Sequence, residues 1–157
     1  MNKTRNDLPE ATRKAMCDLL GARLADAIDL SLQSKQAHWN VKGPQFFALH
    51  QLFDKIYEAV GEQVDDVAER IVELGGTADG TLPTTSKKTT LPAFPNGAVA
   101  AEVHLAALAG ALATFGKGAR AAIETAAKAG DADTADLFTE ISRENDKYLW
   151  MVEAHLQ

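Results

Sequence analysis

The chain has 157 residues, 46% hydrophobic and 24% charged, a length and composition that suit one domain with a full apolar core. Its net charge of −6 argues against a general nucleic-acid binder, because an acidic surface repels phosphate. No apolar run reaches the length of a membrane span, no signal pattern opens the chain, and the single Cys17 excludes an internal disulfide. We therefore expect one domain over residues 1–157 in a cytoplasmic protein that does not enter membranes.

The first half of the chain predicts two long helices separated by a Gly-Pro pair. The first is expected over about residues 7–40, where Asp7 would begin it in an acidic variant of the capping box. Residues 1–6 are then a short flexible tail. Apolar side chains recur at a helical period on both sides of the break, so the second helix is expected over about residues 44–74.

The second half predicts two further helices after a long connection. Residues 75–97 are rich in Gly, Pro and Thr, which predicts a crossover loop with room for a short helix of its own. An Ala-rich segment predicts a third long helix over about residues 98–129. Asp131 or Asp133 can cap a fourth, which reaches about residue 156. Four helices with one long crossover between the second and third describe an all-α, ferritin-like four-helix bundle.

The second helix carries the side chains of greatest chemical interest. His50 and Asp54 are four positions apart, as are Asp65 and Glu69, so each pair shares one helix face. His38 comes just before the helix break, where a turn can fold it back toward that face. Imidazole and carboxylate groups are ligands suited to iron or zinc. These five residues therefore predict a metal site.

The same spacing divides the predicted site between two chains. Asp54 and Asp65 point to nearly the same side of the helix but lie about 16 Å apart along its axis. Ligands lie only about 2.0–2.2 Å from a metal, so the two pairs cannot share one ion within a chain. An antiparallel, two-fold copy of the helix would bring Asp54 of one chain opposite the partner subunit's Asp65. We expect the crossing near Ala59 and Gly61, whose small size permits close approach.

Four motifs, HWNVKG, FFALHQLFD, DDVAERIVELGG and ISRENDKYLWMVEAHLQ, resemble the Dps family (DNA-binding proteins from starved cells) over nearly the whole chain. The resemblance implies a hollow dodecamer that oxidises Fe(II), preferably with hydrogen peroxide, and stores Fe(III) mineral, protecting DNA from oxidative damage. It places the iron ligands at His38, His50 and Asp54 of one subunit and at Asp65 and Glu69 of its two-fold partner. No Glu has His three positions later, so the intra-bundle di-iron centre of classical ferritins is not expected.

The resemblance also implies roles for residues outside the ligand set. Trp39, beside His38, would intercept a stray oxidant, and packing at a subunit contact is a compatible alternative. Asp136, with Glu140 one turn further on, would line a three-fold channel through which Fe(II) enters. Capping and the helix dipole suffice to explain Asp131.

DNA binding remains an open alternative. Family members that bind DNA often use a mobile, Lys-rich terminal tail, and here Lys3 and Arg5 are the candidate contacts. The tail is short, and the rest of each subunit is acidic. Two functions therefore stand beside the ferroxidase: a nucleoid-compacting DNA-binding protein, and a cage that sequesters a metal such as zinc with little redox activity.

Overall fold

Four long helices and one short helix make up the chain, without a β-sheet. The structure is a computed structural model that describes all of residues 1–157. The helices are α1 (Glu10–Asn40), α2 (Phe46–Glu73), α3 (Leu82–Lys88), α4 (Ala101–Ala129) and α5 (Ala132–Glu153). The predicted all-α bundle is confirmed, and the crossover contains the short helix for which the sequence left room.

The long helices pack in two sequential pairs, α1 with α2 and α4 with α5. Helix α1 also contacts α4 and α3, and α2 contacts α5. Buried apolar side chains fill the space between them, and the largest are Phe53, Phe115 and Phe138. Burying one such ring stabilises the fold by about 1.5–3 kcal/mol, so this core holds the helices in a fixed register. None of the helices combines the length and the apolar character that crossing a bilayer requires.

Helix α1 begins later than expected and without the expected cap. Pro9 occupies its N-cap position, and no side chain caps the first turn. A residue that precedes proline is disfavoured in the α conformation, so Leu8 cannot belong to the helix. Instead the Leu8 amide donates to Asn6 Oδ1 at 3.0 Å in a turn before the helix. The prediction that Asp7 begins α1 in a capping box is therefore wrong.

The segment before α1 lies against the end of α2. The Asn2 amide donates to the Gly75 carbonyl at 2.6 Å, and Arg13 Nη1 donates to the Leu74 carbonyl at 3.0 Å. Gly75 has φ of 83°, and a Cβ there would meet the Asn2 carbonyl oxygen at 2.8 Å. Both observations require glycine at this position. The flexibility expected of residues 1–6 stays a prediction.

Two carboxylates of α1 hold the crossover that follows α3. Asp26 is fully buried, accepts a hydrogen bond from the Thr90 amide at 2.7 Å and pairs with Arg23 at 3.0 Å. Asp29 accepts from Thr89 Oγ1 at 2.7 Å. Because a buried carboxylate needs such partners, these bonds fix the crossover to α1 at one register.

Helix α5 starts from a buried cap. Asp131, only 2% exposed, accepts from the Thr134 amide at 3.0 Å, so it is Asp131 rather than Asp133 that caps the helix. Arg70 of α2 donates to Asp131 Oδ1 at 2.8 Å. Burial alone would raise the pKa of Asp131, but the hydrogen bonds from Thr134 and the charge of Arg70 outweigh it and lower that pKa. The bond ties the end of α2 to the start of α5.

Removing the Arg70 guanidinium is expected to destabilise the fold. Arg70→Met leaves the Asp131 carboxylate buried without its cation, which should lower the free energy of unfolding by about 3 kcal/mol at pH 7. Because the folded pKa of Asp131 lies below its unfolded value, the pair contributes stability above about pH 4 and loses it as the pH falls through the folded pKa. Urea unfolding at pH 7 and pH 3 should therefore show a larger loss at pH 7.

The matched control is Arg120→Met. Arg120 also pairs with a carboxylate, Asp146, at 2.9 Å, but both side chains are about half exposed. Exposed pairs contribute little, so this variant should unfold like the wild type at both pH values. Equal losses in the two variants would contradict the role assigned to the buried pair.

Candidate metal centre

The break between α1 and α2 brings His38 and His50 together. His38 lies in the last turn of α1 and His50 in the second turn of α2, and the turn between them passes through Gly43, whose φ is 121°. That left-handed backbone favours glycine. The two imidazole rings stack with their centroids 3.7 Å apart and their planes 21° from parallel.

Each histidine is held by the backbone of the other. His38 Nδ1 lies 2.8 Å from the His50 carbonyl oxygen, and His50 Nδ1 lies 2.9 Å from the His38 carbonyl oxygen. A carbonyl oxygen only accepts hydrogen bonds, so each Nδ1 carries a proton. In the neutral rings each Nε2 then keeps its lone pair, the form that binds a metal. The reciprocal bonds therefore set both the orientation and the tautomer of two adjacent donors.

Asp54 lies beside this pair and is already engaged by a cation. Lys35 Nζ, from α1, donates a hydrogen bond to Asp54 Oδ1, and His38 Nδ1 lies 3.7 Å from the same oxygen. The hydrogen bond from Lys35 lowers the pKa of Asp54. Lys35 Nζ also lies 4.5 Å from the centroid of the Tyr57 ring. Sequence reasoning missed Lys35, although it lies three positions before His38 and so shares its helix face.

Asp65 and Glu69 lie one turn apart on α2, and both are exposed. The chain does not bring them to His38, His50 and Asp54, as the axial distance along one helix requires. Within one chain no three His, Cys, Asp or Glu side chains are arranged to hold a metal ion. The two halves of the predicted ligand set thus stand apart on the same helix.

Between Asp54 and Asp65, helix α2 carries a glycine, Gly61, whose small size no contact within the chain explains. Ala59 is 8% exposed, whereas Gly61 is exposed and a Cβ added there would meet no atom within 4 Å. Glycine inside a helix costs roughly 0.5–1 kcal/mol relative to alanine. No contact within the chain calls for its small size, so the open space is available to another molecule.

Three large aromatic side chains are exposed next to the histidines. Trp39 is 65%, Phe46 44% and Phe47 72% exposed, and the Phe46 ring lies 5.1 Å from the His50 ring. Exposed aromatic side chains of this size are typical of contact surfaces. Interception of an oxidant and packing at a subunit contact both remain predictions for Trp39.

The remaining candidate residues are accessible. Asp136 and Glu140 are exposed one turn apart on α5, whereas Asp131 is occupied by its capping bonds. Lys3 and Arg5 are exposed in the segment before α1, where they line one concavity. Their predicted roles in iron entry and in DNA contact remain predictions.

Comparison with known proteins gives consistent matches over nearly the whole chain. Residues 17–157 match the family model described as ferritin-like domain. The chain is 45% identical over 156 residues to the DNA protection during starvation protein of Agrobacterium fabrum, covering 99% of this chain and 96% of the relative.

Solved structures agree with the sequence matches. The fold is similar to that of DpsC from Streptomyces coelicolor, with a TM-score of 0.95 and 32% identity, covering 99% of this chain and 91% of that one. DpsA14 from the same organism gives a TM-score of 0.93 and 36% identity, covering 98% and 91%.

Proposed function

Because the chain belongs to the Dps family of ferritin-like proteins, we propose that it is a ferroxidase that oxidises Fe(II), preferably with hydrogen peroxide, and stores Fe(III) mineral within a dodecamer. Such a protein would act in the cytoplasm and protect DNA from oxidative damage. The observation that carries the proposal is the stacked pair His38 and His50, whose Nδ1 atoms are hydrogen-bonded to backbone carbonyls and whose Nε2 atoms are left for a metal.

We propose that Fe(II) binds between two chains. His38, His50 and Asp54 would come from one subunit, and Asp65 and Glu69 from its two-fold partner. Support comes from the exposure of Asp65 and Glu69 and from the open space at Gly61, which lies between the two halves on α2. A two-fold contact is self-complementary, so it would create two equivalent sites.

The proposed site suits iron oxidation chemically. Hard carboxylate oxygens favour Fe(III) over Fe(II), which assists oxidation. Two Fe(II) ions can give one electron each to a single peroxide: 2 Fe(II) + H₂O₂ + 2 H⁺ gives 2 Fe(III) + 2 H₂O. One Fe(II) alone would give Fe(III), hydroxide and a hydroxyl radical. Trp39, next to His38, is the residue we propose to intercept such an oxidant.

Entry and storage would use surfaces away from the ferroxidase site. Asp136 and Glu140, exposed on α5, would line three-fold channels in a dodecamer. A ring of carboxylates raises the local concentration of cations, so such channels would guide Fe(II) toward the cavity.

The alternative candidate is a nucleoid-compacting protein. Lys3 and Arg5 form a small basic segment that twelve copies would present together, and weak contacts add through multivalency. A steep loss of DNA retention between about 50 and 200 mM salt would favour this alternative. A cage that sequesters zinc would instead bind metal tightly and leave Fe(II) oxidation at the rate in buffer.

The decisive experiment is anaerobic loading of the purified protein with Fe(II), followed by hydrogen peroxide. Absorbance of Fe(III), solubility of the product and hydroxyl-radical trapping are recorded together. We expect fast oxidation, a soluble mineral and a radical yield well below that of Fe(II) in buffer. Oxidation no faster than in buffer, or precipitation of iron outside the protein, would refute the ferroxidase function.

A further inference from the structure

We propose that Lys35 is a positioning residue that competes with Fe(II) for Asp54 and so sets the iron concentration at which the site fills. The inference rests on the proposed ferroxidase function. The ligand set alone does not explain one contact: the carboxylate of Asp54, a proposed ligand, already carries an ammonium group of the same chain.

Asp54 and Tyr57 together hold the Lys35 ammonium at this position. Lys35 lies one turn before His38 on α1, and its Nζ reaches across to Asp54 on α2. The Tyr57 ring, one turn after Asp54, lies 4.5 Å from the same Nζ. An ammonium over an aromatic face is attracted to the ring, so Tyr57 keeps Lys35 close to Asp54 rather than free in solvent.

The ion pair is accessible enough for Fe(II) to displace it. The Lys35 and Asp54 side chains are 24% and 34% exposed, which places the pair at the surface of the chain rather than in its core. An ion pair that is still partly open to solvent is weak, and a divalent cation attracts the carboxylate more strongly than an ammonium does.

Metal binding and the ion pair oppose each other. Nζ occupies Oδ1, so Fe(II) reaches that oxygen only by displacing it, and Fe(II) bound through Oδ2 would still be repelled by the ammonium on the same carboxylate. The exchange transfers no proton or electron, and only the partner of Asp54 changes. Without metal, the ammonium holds the Asp54 carboxylate beside His38. After Fe(III) leaves, the ion pair can form again.

The test is anaerobic titration of the assembled protein with Co(II), whose visible absorption reports its coordination. Lys35→Met removes the charge and is expected to bind Co(II) up to about fivefold more tightly, the size expected for a weak competing ion pair. The Fe(II) concentration at half-maximal oxidation rate should fall by a similar factor. Lys35→Arg keeps a cation beside Asp54 and should bind Co(II) with the wild-type affinity.

Lys55→Met provides the matched control. Lys55 follows Asp54 directly and is exposed, and its loss changes the net charge by the same amount without removing a partner of Asp54. It should leave Co(II) affinity unchanged. If Lys55→Met raised the Co(II) affinity as much as Lys35→Met does, the effect of Lys35→Met would be one of net charge alone, and the inference would be overturned.

Asp54→Ala separates the inference from the function on which it rests. If Asp54→Ala abolishes Co(II) binding while Lys35→Met leaves it unchanged, the inference alone is overturned. If Asp54→Ala leaves Co(II) binding intact, the proposed iron site fails, and the role of Lys35 fails with it.

Discussion

Replacing Asp65 and Glu69 together with alanine is expected to slow Fe(II) oxidation at least about a hundredfold, since losing even the outer hydrogen-bond partners of metal ligands costs about 10–100-fold. The two carboxylates would be the partner's share of the site, so the remaining ligands would hold iron weakly. Both side chains are exposed on α2, so the double variant should fold and assemble normally. Stopped-flow oxidation of Fe(II) by peroxide measures the rate.

The chain offers a closely matched control for this double variant. Glu62 and Asp66 are also exposed carboxylates of α2, and replacing both with alanine removes the same charge from the same helix. They lie outside the predicted ligand pattern. Their loss should therefore change the oxidation rate by less than about threefold, the usual size of the effect of a surface substitution. Similar slowing in the two double variants would show a general effect of surface charge and would refute the ligand assignment.

Gly61→Arg is expected to prevent assembly while leaving each chain folded. A side chain at this position meets no atom of its own chain, so the arginine should fit the isolated subunit. In the proposed dimer the same side chain would fall where the two α2 helices cross. Light scattering should then find a species far smaller than twelve chains, with wild-type helical content by circular dichroism. Fe(II) oxidation should fall with it.

A second substitution at this position isolates the effect of size. Gly61→Ala adds one methyl group and removes a helical glycine, which stabilises an exposed helix by up to about 1 kcal/mol. We expect it to assemble normally with a raised unfolding temperature. If Gly61→Arg still forms a dodecamer that oxidises Fe(II) at the wild-type rate, the two α2 helices do not cross at Gly61.

The long helices could be predicted from the sequence because their signals are local and repeated. Apolar residues at a helical period extend over many turns, and the glycines after α2 and α4 stop them; Gly130 has φ of 81° at the end of α4. The start of α1 depends instead on a single residue. Pro9 excludes Leu8 from the helix, and that effect outweighs the acidic capping pattern before it.

The sequence predicts the residue types of the candidate site, but it could not predict their contacts. Helical spacing identifies His50 and Asp54 as neighbours on one face, and the break before α2 suggests that His38 returns toward them. The reciprocal bonds between the two histidines could not be predicted, because they depend on where backbone carbonyls point at a turn. Lys35 and Tyr57 escape sequence reasoning for a similar reason: their contact joins two helices, and spacing reports only positions along one.

If the two halves of the proposed ligand set lie apart along α2, a chain would become active only when it is paired. A single chain would carry two imidazoles and one carboxylate beside its own ammonium, and would complete no site by itself. Oxidation rate per chain should then rise with protein concentration until the subunits are paired, and be independent of concentration above that point. A newly made subunit would be inert toward iron and peroxide. Fe(III) would be produced only where other subunits are present to enclose it.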